Sequence, residues 1–213
     1  MATHIYLVRH GQSEGNLTRA FLGHTDLPLT QLGREQARLA SEYLVTLAPD
    51  RIYSSDLLRA YQTAQPTAEG LSLPIETSRQ LREIFAGDWE SVLFDDLHTH
   101  FSEDFHTWLT DIGNSRPTGG ESVRELYTRV TKELVRIAKE NEGARVMVFL
   151  HATPIRALGA VYAGLGLDGM KNQPWPTNAS CTHLVFENDT FTLIEYSRDD
   201  YLGALVTAIP ANV

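Results

Sequence analysis

Two arginines, two histidines and one glutamate, each just beyond an apolar run, are the residues of this 213-residue chain best suited to chemistry. Arg9 and His10 follow Ile5-Tyr6-Leu7-Val8 and precede Gly11, which lets the backbone turn sharply or approach a ligand closely. Arg59 lies just past Arg51-Ile52-Tyr53-Ser54-Ser55, Glu83 follows Leu81, and His151 ends the run Val146-Met147-Val148-Phe149-Leu150. Singly, each has an ordinary reading: a solvated arginine, a structural histidine, an Arg59–Asp56 pair along a helix, a loop carboxylate. Jointly they suit phosphoryl transfer, where negative charge spreads over equatorial oxygens and catalysis is largely positioning and electrostatics. Guanidinium forks match those oxygens and stay charged. Neutral imidazole can attack phosphorus, and a carboxylic acid of raised pKa can protonate a poor alkoxide leaving group. Such a reaction needs neither metal nor cofactor, and none is expected.

The elements that must position these groups alternate between strand and helix signals. The first apolar run reads as a strand, followed by a loop to about Leu29. Thr30 then caps a helix whose Ala37, Ala40, Leu44 and Leu47 share one face. Arg51–Ser55 reads as a second strand and Asp56 to about Ala64 as a second helix, bent or restarted at Gln65-Pro66. Pro74-Ile75-Glu76-Thr77 reads as a further short strand. Gly120 to about Glu140 has the spacing of a long helix, and Arg145–Leu150 is apolar enough for a central strand covered on both faces. His151-Ala152-Thr153-Pro154 is a helix start with proline in its first turn. Thr182–Glu187 and Thr190–Tyr196, joined at Asn188-Asp189, read as an antiparallel hairpin. The pattern predicts an α/β fold: a mostly parallel central sheet with helices on both faces and an antiparallel edge. In such sheets ligands bind outside the carboxyl ends of the strands, where these five residues fall.

Composition excludes several classes. The net charge of −9 and pI near 5.3 argue against a nucleic-acid partner, which needs a basic face. Cys181 is the only cysteine, so no intrachain disulfide forms and no cysteine-based zinc site is available. No stretch approaches the roughly 20 apolar residues of a membrane span. Met1-Ala2-Thr3-His4 lacks the basic and apolar regions of a secretory leader. A reducing cytoplasm is the expected location. One domain over residues 1–213 is expected, and the C-terminal hairpin offers an edge on which a homodimer could pair.

Between Glu83 and Glu121 the rhythm changes to a stretch rich in Asp, Glu, His and Trp. It reads as helical pieces inserted over the strand ends, a cap spanning about residues 84–120. His98, His100 and His106, beside Asp95, Asp96 and Asp104, admit a metal site or a polar helix face, and the polar face is expected. Trp89, Phe94, Phe101, Phe105 and Trp108 are expected to form the cap's own core.

Leu7-Val8-Arg9-His10-Gly11-Gln12-Ser13-Glu14-Gly15-Asn16 resembles the opening motif of the histidine phosphatase superfamily, in its phosphoglycerate-mutase-like branch. The resemblance continues through Gly23–Thr30, Gly33–Ala37, Ser54–Ala60 with Thr63-Ala64, Leu81–Ile84, Gly119–Ser122 and His151 with Arg156-Ala157, in the family's order along nearly the whole chain. It implies that His10 is the phosphorylated nucleophile and that Arg9, Arg59 and His151 hold the phosphoryl group. Glu83 would be the proton donor and later the base for water. Ser13, Asn16 and the backbone at Gly23 would help bind phosphate or substrate, a small phosphorylated metabolite.

Two departures from the family pattern bear on activity. Ala152 stands where the family commonly has glycine after the second histidine, and its methyl is expected to tighten the turn rather than crowd the phosphate. Phosphoglycerate mutases carry several Lys and Arg in the cap to receive a second anionic group. From Glu83 to Glu121 this chain has one basic residue, Arg116, amid nine Asp and Glu. That field disfavours a strongly anionic substrate, so a phosphatase of a monophosphate ester is expected rather than a mutase-type phosphotransferase. A non-catalytic phospho-ligand binder is the reading of another class, and the presence of all five core residues argues against it.

Overall fold

In the computed structural model, residues 1–207 are described. Strands β1 (Thr3–Arg9), β2 (Arg51–Ser55), β3 (Ile75–Ser78), β4 (Arg145–Leu150), β5 (Cys181–Glu187) and β6 (Thr190–Arg198) form one sheet in the order β3-β2-β4-β1-β5-β6. The first four strands run parallel, while β5 pairs antiparallel with both β1 and β6. This is the mixed, mostly parallel α/β sheet with an antiparallel edge that the apolar pattern predicts. Asn188 and Asp189 both take positive φ, as the tight turn of a two-residue hairpin requires.

The sheet is covered on both faces because β1 and β4 are apolar at consecutive positions, over Ile5–Val8 and Val146–Leu150. Ile5, Leu7, Val146, Val148 and Leu150 point to one face, where α6 (Val123–Glu140) and α7 (Ala152–Tyr162) bury Leu126, Val130, Leu134, Ile155 and Leu158. Tyr6, Val8, Met147 and Phe149 point to the other, against Ala40 and Leu44 of α2 (Gln31–Leu44) and Ala64 and Ala68 of α3 (Leu58–Leu71). Thr30 caps α2 as its sequence position implies, its side chain accepting the Gly33 N–H. Helix α6 starts three residues later than its periodicity suggests. Ser122 and Glu125 form a reciprocal capping box there.

Two local expectations fail. Pro66 does not restart α3, which runs unbroken to Leu71 with Ala64, Thr67 and Ala68 buried around the proline. Packing of that face outweighs the one backbone bond that proline removes. The loop after β1 contains a short helix, α1 (Glu14–Thr18), which Ser13 caps in reciprocal bonds with Asn16.

The cap comprises α4 (Phe94–His100), α5 (Ser102–Thr110) and flanking 3-10 turns. Trp89 and Trp108 meet Phe21 edge-on, and Trp89, Leu97, Phe105 and Trp108 belong to the same buried cluster as α6 and α7. The cap's aromatic residues are therefore continuous with the main core rather than a separate one. His98, His100 and His106 are exposed, and among the described residues no group of three or more His, Cys, Asp or Glu side chains is placed to hold a metal ion.

Candidate active site

Because β1 and β4 are parallel neighbours with Arg9 opposite Leu150, the chain leaves both strands at the same edge. The His10 N–H donates to the Leu150 carbonyl at 3.0 Å, and the His10 and His151 rings lie 5.2 Å apart between centroids. His10 Nδ1 is 2.7 Å from the Gly11 carbonyl oxygen. A carbonyl can only accept, so Nδ1 carries the proton and Nε2 keeps its lone pair. Burial, and then the charges of Arg59 and Arg9, hold the His10 pKa well below that of a free imidazole. His10 is thus a neutral ring of fixed tautomer. Gly11 has no alternative here, since a Cβ would collide with the Gly33 carbonyl.

Arg9 and Arg59 are buried beside it. Arg9 Nη1 donates to the Pro176 carbonyl at 2.6 Å, while its Nε has no partner among the described residues. Arg59 comes from the first turn of α3, and its Nη1 and Nη2 donate to the carbonyls of Thr25 and Gly23 at 2.9 and 2.8 Å. Burial lowers both guanidinium pKa values to about 10, opposed by the nearby Glu83 charge, so both remain cationic at neutral pH. These two cations are held by carbonyl oxygens, with no carboxylate bonded to either among the described residues, and present positive charge to the cleft.

Glu83 faces them from the start of the cap segment. Its Oε1 accepts the Ile84 N–H at 2.8 Å and its Oε2 the Thr153 N–H at 3.1 Å, in the first turn of α7. Burial raises its pKa above the ordinary carboxyl value, although both backbone bonds and the Arg59 charge pull the other way. His151 Nε2 lies 2.9 Å from Ser55 Oγ, and its Nδ1 has no partner among the described residues. Burial, then Arg59 and His10, depress its pKa far below the ordinary value. The structure therefore brings all five sequence-predicted core residues to one cleft edge. Arg9, His10, Arg59 and Glu83 line a cavity of about 140 Å³ there, and His151 sits against it.

The three expected substrate-binding positions divide. Ser13 and Asn16 line the cavity, bonded to each other through the capping of α1. Gly23 does not. Its N–H donates to Glu90 and its carbonyl accepts Arg59, so its backbone serves the arginine and leaves no free donor for phosphate.

The cap's acidic residues also differ from the expectation. Among the described residues Glu83 is the only carboxylate lining the cavity; Glu90 accepts backbone amides, Asp104 accepts the Thr118 hydroxyl, and Asp95 lies 3.5 Å from Arg19. The cap instead presents Phe94 and Trp108 to the cleft, joined by Phe21, Leu22 and Trp175. Among the described residues Arg19 is the one further cation in the lining.

A family model described as the histidine phosphatase superfamily (branch 1) matches residues 5–199 of this chain. The chain belongs to that superfamily. It is similar to phosphoserine phosphatase 1 of Hydrogenobacter thermophilus, at 33% identity over 163 residues, covering 76% of this chain and 77% of the relative. It is also similar to the adenosylcobalamin/alpha-ribazole phosphatase of Escherichia coli, at 30% identity over 199 residues, covering 93% and 97%. The solved structure of Bacillus stearothermophilus YhfR superposes with a TM-score of 0.89 at 28% identity, covering 94% of this chain and 99% of that one.

Some partners of this histidine phosphatase site were given no role from sequence. Thr63 Oγ1 accepts the Gly11 N–H at 3.0 Å and donates to the Arg59 carbonyl. Its position four residues after Arg59, one helical turn on, is a signal that could have found it. Asn178 Nδ2 donates to the His10 carbonyl at 3.0 Å from a loop distant in sequence, and no local pattern marks it.

Proposed function

We propose that this histidine phosphatase hydrolyses the phosphate monoester of a small metabolite through a phosphohistidine on His10. The observation that carries the reading is the fixed tautomer of His10, which leaves Nε2 free in a cleft lined by two buried arginines and a buried carboxyl of raised pKa. Nε2 attacks phosphorus in line with the ester oxygen, while Arg9, Arg59 and the unpartnered Nδ1 of His151 hold the equatorial oxygens. Protonated Glu83 gives its proton to the departing alkoxide, then as carboxylate takes one from the water that opens the phosphohistidine. Ser13 and Asn16 border the phosphate side, and the alcohol part of the ester lies along Phe94 and Trp108.

Hydrolysis is favoured over mutase transfer because, among the described residues, the lining offers a second anion no cation but Arg19, which has Asp95 beside it. A single folding unit that includes the cap is supported by the buried cluster running from Trp89 and Trp108 into α6 and α7. A reducing, cytoplasmic location is supported by a lone, buried cysteine, Cys181, and no described helix is long and apolar enough to cross a membrane.

Acid-quench labelling tests the mechanism. An acid-labile phosphoenzyme that is absent in His10→Ala is expected, and labelling that persists in His10→Ala would remove the nucleophile assignment. Turnover of 3-phosphoglycerate to its isomer faster than release of phosphate from simple esters would overturn hydrolysis as the main reaction.

A further inference from the structure

Glu90 is a half-buried cap carboxylate that no step of the reaction uses, yet it is among the most heavily bonded side chains of the molecule. Its Oε1 accepts the N–H groups of His24 at 2.6 Å and Ala86 at 3.2 Å. Its Oε2 accepts the N–H groups of Gly23 at 3.2 Å and Thr25 at 3.0 Å, and the Thr25 hydroxyl at 2.7 Å. Three successive backbone amides thus close on one carboxylate, the arrangement of an anion nest. The carbonyls of Gly23 and Thr25, two residues of the same nest, are the acceptors that fix both terminal nitrogens of Arg59. Gly23 is obligatory at this junction, since a Cβ would collide with Glu90 and the Ile84 carbonyl.

We propose that Glu90 is the positioning residue for Arg59: by filling the Gly23–Thr25 amide nest, it fixes the two carbonyls that aim the guanidinium at the phosphoryl group. The inference rests on the reading of Arg59 as a phosphoryl clamp and adds to it the element that sets its geometry. The coupling has a mechanical and an electrostatic part. Mechanically, the five donors leave residues 23–25 one arrangement, and a buried fork held by two carbonyls follows their position. Electrostatically, the Glu90 charge stands with those of Glu83 and Asp26 in offsetting the burial that disfavours the Arg59 cation. Burial also pushes the Glu90 carboxyl upward, but the bonds from Thr25, His24 and Ala86 outweigh this and hold it below its ordinary value, so the charge is present throughout the working range. The cap segment carrying Glu83 is tied in through Ala86, so one carboxylate registers the arginine on α3 against the acid in the cap.

The test is calorimetric binding of orthovanadate, a five-coordinate mimic of the phosphoryl group in flight, which reads the clamp without turnover. Glu90→Gln keeps the shape but must turn an NH2 toward amide donors, and it is expected to weaken vanadate binding about tenfold, the scale of one charge-assisted bond. Arg59→Lys is expected to weaken it as well. The double variant is expected to be no weaker than the poorer single one, because both act through the same fork. Asp96→Asn, on the exposed side of α4, is expected to bind as the unaltered protein does. Thr25→Val, which removes one donor to Glu90 with little change of volume, provides the same reading at about threefold if Glu90→Gln does not fold. Unaltered binding by a folded Glu90→Gln, or by Thr25→Val where Glu90→Gln does not fold, overturns the proposal, as do single losses that multiply in the double variant. If Arg59→Lys itself binds vanadate like the unaltered protein, the clamp reading falls, and this inference with it.

Discussion

His10 and His151 face each other across the cleft at 5.2 Å, their rings tilted by 60°, and both are buried beside Arg59. A proton on either ring would lie in a dry site next to a guanidinium and a second imidazole. Burial is the larger cause and the neighbouring positive charge the second, so both rings stay neutral in the folded protein well below the pH at which they would protonate in an open chain.

This pair makes stability fall on acidification. The unfolded chain binds protons at both histidines as pH drops through about 6.5, whereas the folded chain does not. The contribution of the two rings is complete above that pH and is lost as pH falls below it. Each can contribute a slope of up to about 1.4 kcal/mol per pH unit. Urea midpoints from pH 8 to pH 5 should decline, and His10→Asn should flatten the decline by the share of one group. An unchanged slope in His10→Asn would mean that the ring protonates in the folded state.

Glu83 imposes the opposite limb on turnover. It must be protonated to assist the leaving alkoxide, and burial raises its pKa above the free value despite its bonds to the Ile84 and Thr153 amides. His10 must be neutral, and its pKa lies well below 6.5. With both conditions, kcat for an alkyl phosphate should decline as pH rises through the Glu83 value, a limb displaced above the ordinary carboxyl range. Glu83→Gln should lower kcat by about 10² to 10⁴ and abolish the basic limb, with a smaller loss for p-nitrophenyl phosphate, whose leaving group needs little protonation. Equal losses on both esters would assign Glu83 a role other than proton donor.

The strand ends were legible because β1 and β4 are apolar at consecutive positions, a pattern only a sheet covered on both faces produces, and because charged residues begin where that pattern stops. Arg9, His10 and His151 could therefore be placed together before any coordinates. Glu83 and Arg59 were legible through the family's motifs more than through periodicity. Gly23 was misread for a definite reason. Its motif marks a backbone near the phosphate, but the occupant of its amide is Glu90, 67 residues on in sequence. The direction of the cap's carboxylates was equally hidden, since composition counts charges without saying which donors claim them. Asn178 reaches His10 across 168 residues and had no sequence signal at all.

Ala152 tests a departure from the family pattern. It is the first residue of α7, borders the cavity, and immediately precedes the Thr153 amide bonded to Glu83. Its methyl restricts the backbone where the helix must begin at a fixed place. Ala152→Gly should therefore cost about 0.5–1 kcal/mol of stability, through the greater freedom of glycine in the unfolded chain. KM for a small ester should stay within about twofold. A marked drop in KM would show instead that the methyl crowds the phosphate.

Phe94 tests what the apolar wall does. It is a cap residue, half-buried, that packs against Phe21 with ring centroids 5.5 Å apart and borders the cavity with Trp108. An ester whose alcohol carries a flat apolar body buries surface against this wall, and one with a small hydroxylated alcohol does not. Truncation to alanine removes most of one such face, with a loss on the order of 1 kcal/mol of contact for a ligand that uses it. Phe94→Ala should therefore lower kcat/KM for naphthyl phosphate by roughly fivefold or more and leave glycerol phosphate nearly unchanged. Phosphoenzyme formation from the small ester should be unaffected, because His10 and its arginines lie on strand-end and α3 positions that do not touch this ring. Equal losses on both esters would show that Phe94 acts on the phosphoryl end by holding the cap in place, and the wall would then have no part in choosing the alcohol.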